Sequence, residues 1–410
     1  MPPMADAAAR STALRVVRLL RKEGFQALLA GGCVRDMLLG RRSTDYDVAT
    51  DATPRQVKKL FGHVLLVGAK FGVAVVIRGK QKVEVATFRS DLSYSDGRRP
   101  DGVRFSSPRE DALRRDFTIN GMFYDPVADE VIDYVGGRKD LAAGVVRTIG
   151  RADERFAEDY LRMLRAVRFA VRLGFRIAPA TAAAVRRHAG KIVGISGERI
   201  YDELSKMLSG PSAAKALRRM EQLHLAAAVL PELFGDEALW PAAVARVEIV
   251  AARKDLVLTL AALLAELPGV RIDAVVRRGG ASNELREALK WLGGHLGDWR
   301  LVATLPLPGF RRLAGSGHFE RLRALWRAQE RIETGGRGCD RAVRRRLKEI
   351  PAGIALPEPF VKGSDLLAMG LAEGPELGRL LWEAYDAQLG LGLRTPAEAR
   401  AWARRRSSGR

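Results

Sequence analysis

The sequence predicts an α+β protein: a small mixed sheet with helices over residues 1–150, followed by an all-helical remainder. Three observations carry this. Strand-like and helix-like segments alternate up to about residue 150, the pattern of helices packed on a sheet. Beyond residue 151 apolar residues recur at helical spacing and no convincing strand alternation returns. The helical stretches are punctuated by turn signals at Gly210-Pro211, Gly279-Gly280, Leu307-Pro308-Gly309 and Gly335-Gly336. A chain of 410 residues is too long for one ordinary core and divides into about two to four domains. The boundaries expected are 1–150, 151–235, 236–350 and 351–410.

Taken in order, an Arg- and Ala-rich N-terminus leads into an amphipathic helix over Thr12–Lys22. It lacks the uninterrupted apolar core of a signal peptide. The strand Gln26–Ala30 ends in Gly31-Gly32, and a short helix closes on Gly40. A strand follows at Asp45–Ala49. Thr53 and Pro54 then supply the cap and first position of a helix running to about Leu60. Val64–Val67, Val73–Arg78 and Lys82–Phe88 read as strands, and the polar stretch Arg89–Pro108 reads as a long loop. In the second part, Glu154–Leu173 is helical, with Phe156, Leu161, Leu164, Val167, Phe169 and Val171 available for a buried face. Thr181–Lys191, Gly197–Leu208, Ala213–Leu223 and Leu256–Leu264 are further helices. A linker-like segment, Pro351–Pro359, precedes a last helical pair.

Composition narrows the function. The formal charge is +21, which fits a polyanionic partner because phosphate neutralisation releases counterions. Arginine-rich solvated helix faces give the same total. Cys33 and Cys339 are the two cysteines and the five histidines are scattered. That excludes a zinc cluster or disulfide framework and suits a reducing cytoplasm. No apolar run is long enough for a membrane-spanning helix.

The chemistry-bearing residues cluster early. Asp45 and Asp47 are two residues apart on an expected strand, so their carboxylates share a face. Such a pair can hold one or two Mg²⁺ beside substrate phosphates. It also reads as acidic turn residues at a helix cap. Gly31 and Gly32 permit close approach of backbone N–H groups to phosphate, with Arg35 just beyond, and equally make a plain strand-to-helix turn. Glu84 lies between Val83 and Val85 on a strand. It is either a third active-site acid or one half of a structural ion pair.

Together these residues resemble a known family. Gly31-Gly32, Val34-Arg35-Asp36, Leu38-Leu39-Gly40 and Thr44-Asp45-Tyr46-Asp47-Val48-Ala49-Thr50 are similar to the opening motifs of the class II template-independent nucleotidyltransferases. These comprise tRNA CCA-adding enzymes and bacterial poly(A) polymerases, of the polymerase-β-like superfamily. The resemblance continues through Val67–Gly72, Glu84–Arg89 and Asp96-Gly97-Arg98-Arg99-Pro100-Asp101. Further matches are Arg114–Gly121, the stretch Glu158-Asp159-Tyr160-Leu161-Arg162, and Gly197-Glu198-Arg199-Ile200 with Glu203-Leu204.

The resemblance implies a polymerase-β-like catalytic head, then a helical neck, body and tail. It implies Asp45 and Asp47 as Mg²⁺ ligands that activate the primer 3′-hydroxyl, with CTP and ATP as substrates and the tRNA acceptor arm as partner. Arg115 and Asn120 would meet triphosphate or ribose, with Asp116, Arg165 and Arg168 as further candidates. Asp159 and Arg162, three apart on an expected helix, would present a protein template to the edge of the incoming base; outside this context the pair reads as a surface salt bridge. Asp96, Arg98 and Arg99 would form a flexible loop that gates the change of nucleotide, and its presence argues against a CC-only enzyme. Poly(A) polymerases of the family tend to carry a second basic residue and RFR-like wording in this stretch, where this chain has Ala69 and Gly72. The tail, Lys362–Leu366 with Gly374–Gly378, leans toward CCA addition. A poly(A) polymerase or A-only enzyme is the alternative. A catalytically inactive RNA-binding relative would need a broken position among Asp45, Asp47, Arg115, Asp159 and Arg162, and all are intact. Arg341–Lys348 and Arg404–Arg406 are candidate phosphate contacts. No histidine–aspartate phosphohydrolase signature is present, so the C-terminal hydrolase module of some relatives is expected to be absent. Oligomeric state is open.

Overall fold

A computed structural model describes residues 4–43, 45–66, 69–91, 102–353 and 355–407. The chain separates into two compact units, residues 1–234 with 278–280, and residues 235–277 with 281–410.

The first unit is built on a mixed seven-stranded sheet. Its strands are β1 (Ala27–Ala30), β2 (Asp47–Thr50), β3 (Val64–Leu65), β4 (Val73–Arg78) and β5 (Gln81–Thr87). Two short strands, β6 (Arg89–Asp91) and β7 (Val103–Phe105), pair with each other outside it. The hairpin β8 (Met122–Asp125) and β9 (Glu130–Asp133) completes the order β3-β4-β5-β2-β1-β8-β9. β1 is buried along its whole length, as expected for a central strand. Helix α1 (Met4–Lys22) packs on β1, β2 and β5. Leu28, Ala30, Ala49, Phe88, Ala112 and Phe123 form one core cluster, in which the Phe88 and Phe123 rings meet edge to face at 5.9 Å.

Short helices punctuate the sheet. α2 (Gly32–Leu38) follows β1, and α3 (Pro54–Leu60) opens on a capping box between Thr53 and Gln56. α4 (Pro108–Leu113) opens on a second capping box, between Ser107 and Glu110. α5 (Gly137–Ala142) follows β9.

The remaining helices of this unit are α6 (Ala152–Glu158), α7 (Leu161–Leu173), α8 (Pro179–His188), α9 (Gly197–Leu208), α10 (Ala213–Gln222) and α11 (Leu225–Val229). α7 buries Leu161, Leu164, Val167 and Phe169 as the periodicity requires, while Val171 is half-buried.

Four expectations change. The stretch Arg89–Pro108, expected as a loop, carries the strand pair β6 and β7. The hairpin β8–β9 forms where the sequence predicts no strand and adds two strands at one edge of the sheet. A short strand returns in the helical part: β11 (Arg176–Ile177) pairs in parallel with β10 (Val145–Val146). Glu154–Leu173 is not one helix but two, α6 and α7, broken at Asp159 and Tyr160. The Asp159 backbone is extended, at φ −158° and ψ 102°. Its carboxylate accepts the Leu161 N–H at 3.1 Å, satisfying one of the orphan donors at the start of α7.

The second unit is helical. Its helices are α12 (Leu239–Val250), α13 (Leu256–Leu264), α14 (Gly269–Arg278, whose last residue falls in the first unit), α15 (Asn283–Gly294), α16 (Leu307–Ala314), α17 (Phe319–Thr334), α18 (Gly338–Leu347), α19 (Gly363–Ala368), α20 (Pro375–Leu389) and α21 (Pro396–Ser407). Trp326 is fully buried, and its indole donates to the His295 carbonyl at 2.7 Å. The buried Arg246 guanidinium pairs with Glu266 at 2.9 Å and donates to Gln329 at 3.1 Å. The last three helices close on Val361, Leu366, Leu380, Ala384, Leu393, Ala399 and Ala403. Among the described residues no helix is long and apolar enough to cross a membrane.

Candidate active site

The first unit carries a cleft of about 720 Å³. Asp47 begins β2, and Asp45 precedes the strand rather than lying on it; Ser43 holds that approach by donating its hydroxyl to the Asp45 carbonyl at 2.8 Å. β2 runs parallel to β5 with Val48 opposite Val85. Continuing that register by one residue sets Asp47 beside Glu84. Along β5, Val83, Val85 and Thr87 turn inward and Glu84 is exposed, so its carboxylate faces the cleft with Asp45 and Asp47. Glu84 makes no ion pair among the described residues.

Burial, then the neighbouring charge of Glu84 and, to a lesser extent, Asp45, push the Asp47 carboxyl up to about 6, against the opposing pull of Arg115. Concentrated negative charge of this kind suits a divalent cation. Asp45 and Asp47 supply the hard oxygen donors that Mg²⁺ takes, one or two carboxylates with the rest left for water and phosphate.

The opposite wall is cationic. Among the described residues, Arg35, Arg42, Arg89, Arg114, Arg115, Arg162, Arg165, Arg168, Arg172 and Arg199 line the cleft. Several are fixed in a chain of hydrogen bonds. Arg35, on α2, is 2% exposed. It bonds Asp36 at 2.8 Å and donates to the Asn120 side chain at 2.6 Å. Asn120 donates to Asp116 at 3.1 Å. Asp116 accepts two bonds from Arg165, at 2.8 and 2.6 Å. Burial alone would raise the Asp116 carboxyl, but Arg165 outweighs it and holds the group below the ordinary carboxylate range. Arg168 donates to Glu203, a buried residue of α9, at 2.6 Å. Arg35, Arg165 and Arg168 surround the Phe169 ring at 5.2, 5.4 and 4.3 Å from its centroid.

Arg115 comes from the segment after α4. Asp111 takes two bonds from it, at 3.2 and 2.9 Å, and a third from Arg114 at 2.8 Å. Burial raises the Asp111 carboxyl less than these two guanidinium groups lower it. Gly31 has φ +74°, a conformation that favours glycine, and a Cβ there would press on the Arg115 Nη1 atom at 3.0 Å. The Gly31 N–H donates to the Met122 carbonyl at 3.1 Å, so this amide is not the one free for phosphate; Gly31, Gly32 and Cys33 all line the cleft.

Asp159 and Arg162 both line the cleft, but through the break between α6 and α7 instead of along one helix. Asp159 receives a two-pronged contact from Arg199 of α9, at 3.2 and 2.8 Å. Arg162 pairs with Glu158 and donates to the Arg155 carbonyl at 2.9 Å. Of the expected site residues, Gly31, Gly32, Arg35, Asp45, Asp47, Glu84, Arg115, Asp116, Asn120, Asp159, Arg162, Arg165 and Arg168 come together around this cleft. Asp96, Arg98 and Arg99 lie outside the described residues. The sequence assigns no role to the partners that orient these groups: Asp36, Arg199 and Glu203, present there only as motif residues, and Asp111, which lies in none of the motifs. Asp111 was findable, since it stands three and four residues before Arg114 and Arg115 on a capped helix.

Comparison with known proteins follows the same outline. The family model of the poly A polymerase head domain matches residues 27–147. A second, described as a probable RNA and SrmB-binding site of polymerase A, matches residues 174–235. The CCA-adding enzyme of Geobacillus stearothermophilus is 44% identical over 226 residues, 55% of this chain and 55% of that relative. Poly(A) polymerase I of Salmonella typhi is 42% identical over 232 residues, 54% of this chain and 50% of that one. The chain thus matches about half the length of these curated relatives. The solved structure of the Bacillus stearothermophilus CCA-adding enzyme in complex with CTP superposes with a TM-score of 0.78 at 32% identity, over 100% of this chain and 99% of that one. The chain belongs to the CCA-adding enzyme and poly(A) polymerase family. This family's fold, a mixed sheet followed by helices, is the one expected from the sequence; the acidic corner and Arg115 fall within the head-domain match and Arg199 within the second, while Asp159 to Arg172 lie between the two.

Proposed function

We propose that this chain is a Mg²⁺-dependent tRNA nucleotidyltransferase that adds or repairs the 3′-terminal CCA of tRNA from CTP and ATP, in the cytoplasm. The observation that carries the reading is the pairing of an acidic corner, Asp45, Asp47 and Glu84, with an arginine-lined wall in one cleft. Phosphoryl transfer asks chiefly for positioning and charge neutralisation, and the two walls divide that work. Asp45 and Asp47 would hold Mg²⁺, which when bound neutralises phosphate charge and favours loss of the primer hydroxyl proton. Arg115, aimed by Asp111, and Arg35, anchored on Asp36 and Asn120, receive the triphosphate. The primer 3′-oxygen then bonds to the α-phosphorus as the bond to the bridging oxygen breaks, and diphosphate leaves.

Asp159 and Arg162 offer an acceptor and a fork donor to the base edge. Both already have protein partners, so their orientation is set before nucleotide arrives. Arg199 bonds both oxygens of the Asp159 carboxylate and acts as its positioning residue.

A poly(A) polymerase is the second reading, supported by the Salmonella typhi match. Against it stands Gly72, whose φ of +79° and Cβ direction, 3.3 Å from the Phe105 ring, disfavour the basic side chain of the poly(A) wording. Incubation of the full chain with a tRNA lacking its 3′ end and labelled nucleotides decides between them. Two C residues and one A are expected. Unlimited A-tailing without CTP use would overturn CCA addition.

A further inference from the structure

The arginines of the active-site cleft are of two kinds. Most are tied to a carboxylate, Arg35, Arg115, Arg162, Arg165 and Arg168 among them. Arg42 and Arg172 line the same cleft, are exposed, and make no ion pair among the described residues.

The fold brings these two together. Arg162, Arg165, Arg168 and Arg172 recur along α7 at spacings of three, three and four residues and all line the cleft, so they form one stripe. The stripe runs about 15 Å, from the group offered to the base edge to the last turn of the helix. There the Leu173 carbonyl, an orphan acceptor of the helix end, accepts from the Arg41 guanidinium at 3.3 Å. That bond ties the connection between α2 and β2 to the end of α7, next to Arg172. On the other side of Arg42, Ser43 is 7% exposed and bonds the Asp45 carbonyl. Arg42 is thus held between two anchored residues, three residues before Asp45, with its guanidinium in solvent.

The position selects the ligand. Two guanidinium forks that no carboxylate occupies suit phosphate oxygens. The nucleotide's own phosphates are received by Arg35 and Arg115, near the Gly31-Gly32 end of α2. Arg42 follows the other end of that helix, which is about 10 Å long. In-line displacement sets the attacking and leaving oxygens on opposite sides of the phosphorus, so the attacking strand arrives from the side away from the diphosphate. Its last phosphodiester lies one ribose from the reacting 3′-oxygen, and Arg42 lies correspondingly close to Asp45 along the chain.

We propose that Arg42 and Arg172 clamp the last phosphodiester of the RNA primer and so aim its 3′-hydroxyl at the acidic corner. The proposal rests on the reading of the chain as a tRNA nucleotidyltransferase. The leaving diphosphate offers the same phosphate oxygens, and the test separates the two sources.

The full-length chain and its variant R42Q/R172Q are compared on two tRNAs lacking the CCA end, one natural and one whose last phosphodiester is a neutral methylphosphonate. Affinity is read at equilibrium without nucleotide, so the contact is measured whether or not transfer occurs. Each change alone is expected to weaken binding about tenfold. Both together should weaken it scarcely more, since they remove the same contact. KM for tRNA should rise in step, and R42K/R172K should recover part of the loss, because lysine keeps the charge without the fork. Independent losses, multiplying to about a hundredfold, overturn the proposal, as does wild-type affinity in the double variant. So does a shift in the KM for CTP or in inhibition by diphosphate with tRNA affinity intact. Both side chains are exposed and the thermal midpoint should hold; should the double variant lose it, the R42Q and R172Q single variants go through the same cycle and decide. Wild-type incorporation of CTP and ATP is read separately: if it fails while the two changes still couple, the catalytic reading falls and the clamp stands.

Discussion

The active-site cleft and a concave site of about 530 Å³ between α12, α17 and α18 of the second unit are both rich in arginine and differ in how their charges are held. In the first unit Arg35, Arg115, Arg165 and Arg168 are each tied to a carboxylate, and all four lie over an aromatic face. In the second, Asp340 collects three arginines while Arg253, Arg331, Arg337 and Arg341 stand in solvent. The difference is one of preorganisation. A group that must meet a developing charge within a few tenths of an ångström needs its own partners in place beforehand. A group that holds a polyanion by counterion release needs only to be near it.

The acidic corner gives the sharpest way to break this contrast. D45A or D47A should lower nucleotide incorporation by about 10³-fold or more while leaving tRNA affinity within about twofold, as read by filter binding. Normal incorporation in either would remove these carboxylates from the metal site. Next in size, D116N takes the carboxylate from Arg165 and Asn120. Because Arg165 is itself partly exposed, the loss in unfolding free energy is expected at about 2–3 kcal/mol. D340N, at the matching hub of the second cleft, should lose only about 1 kcal/mol, since Arg344 can turn to water. Denaturant melts of the two variants compare the hubs directly, and equal losses would erase the distinction drawn here.

The same hub has a pH signature. The Asp116 carboxyl is depressed in the folded chain, so the folded state binds its proton less readily than the unfolded one. Its contribution is complete above the ordinary carboxylate range and disappears as pH falls through and below it. Acid titration of stability should therefore be shallower in D116N than in the wild type. Smallest of all, R199A should change the ratio of kcat/KM for CTP and ATP by about threefold, with R199K restoring part of it. A uniform loss for both nucleotides would mean that Arg199 serves folding alone.

Much of this was legible in the sequence because it is written in local pattern. Thr53-Pro54 starts α3 where the cap predicted, Leu256–Leu264 and Val73–Arg78 form over the residues expected, and the glycine turn leads into α2. What was missed depends on contacts between distant segments. The β8–β9 hairpin shows weak alternation, since Tyr124, Asp125 and all of β9 are at most half-buried at the sheet edge. Helical periodicity runs unbroken through Asp159, and only the pairing with Arg199, 40 residues on, interrupts it. Glu203 carries no local sign that it will be buried against Arg168.

The break at Asp159 has a consequence for how such a protein changes over time. The residues that would perform the chemistry sit on and before β2, and the residue that orients Asp159 sits on α9, far along the chain. On the proposed roles, substitutions on α9 would retune which nucleotide is preferred while the bond-making strand is left alone, and preference and reactivity would be separately heritable.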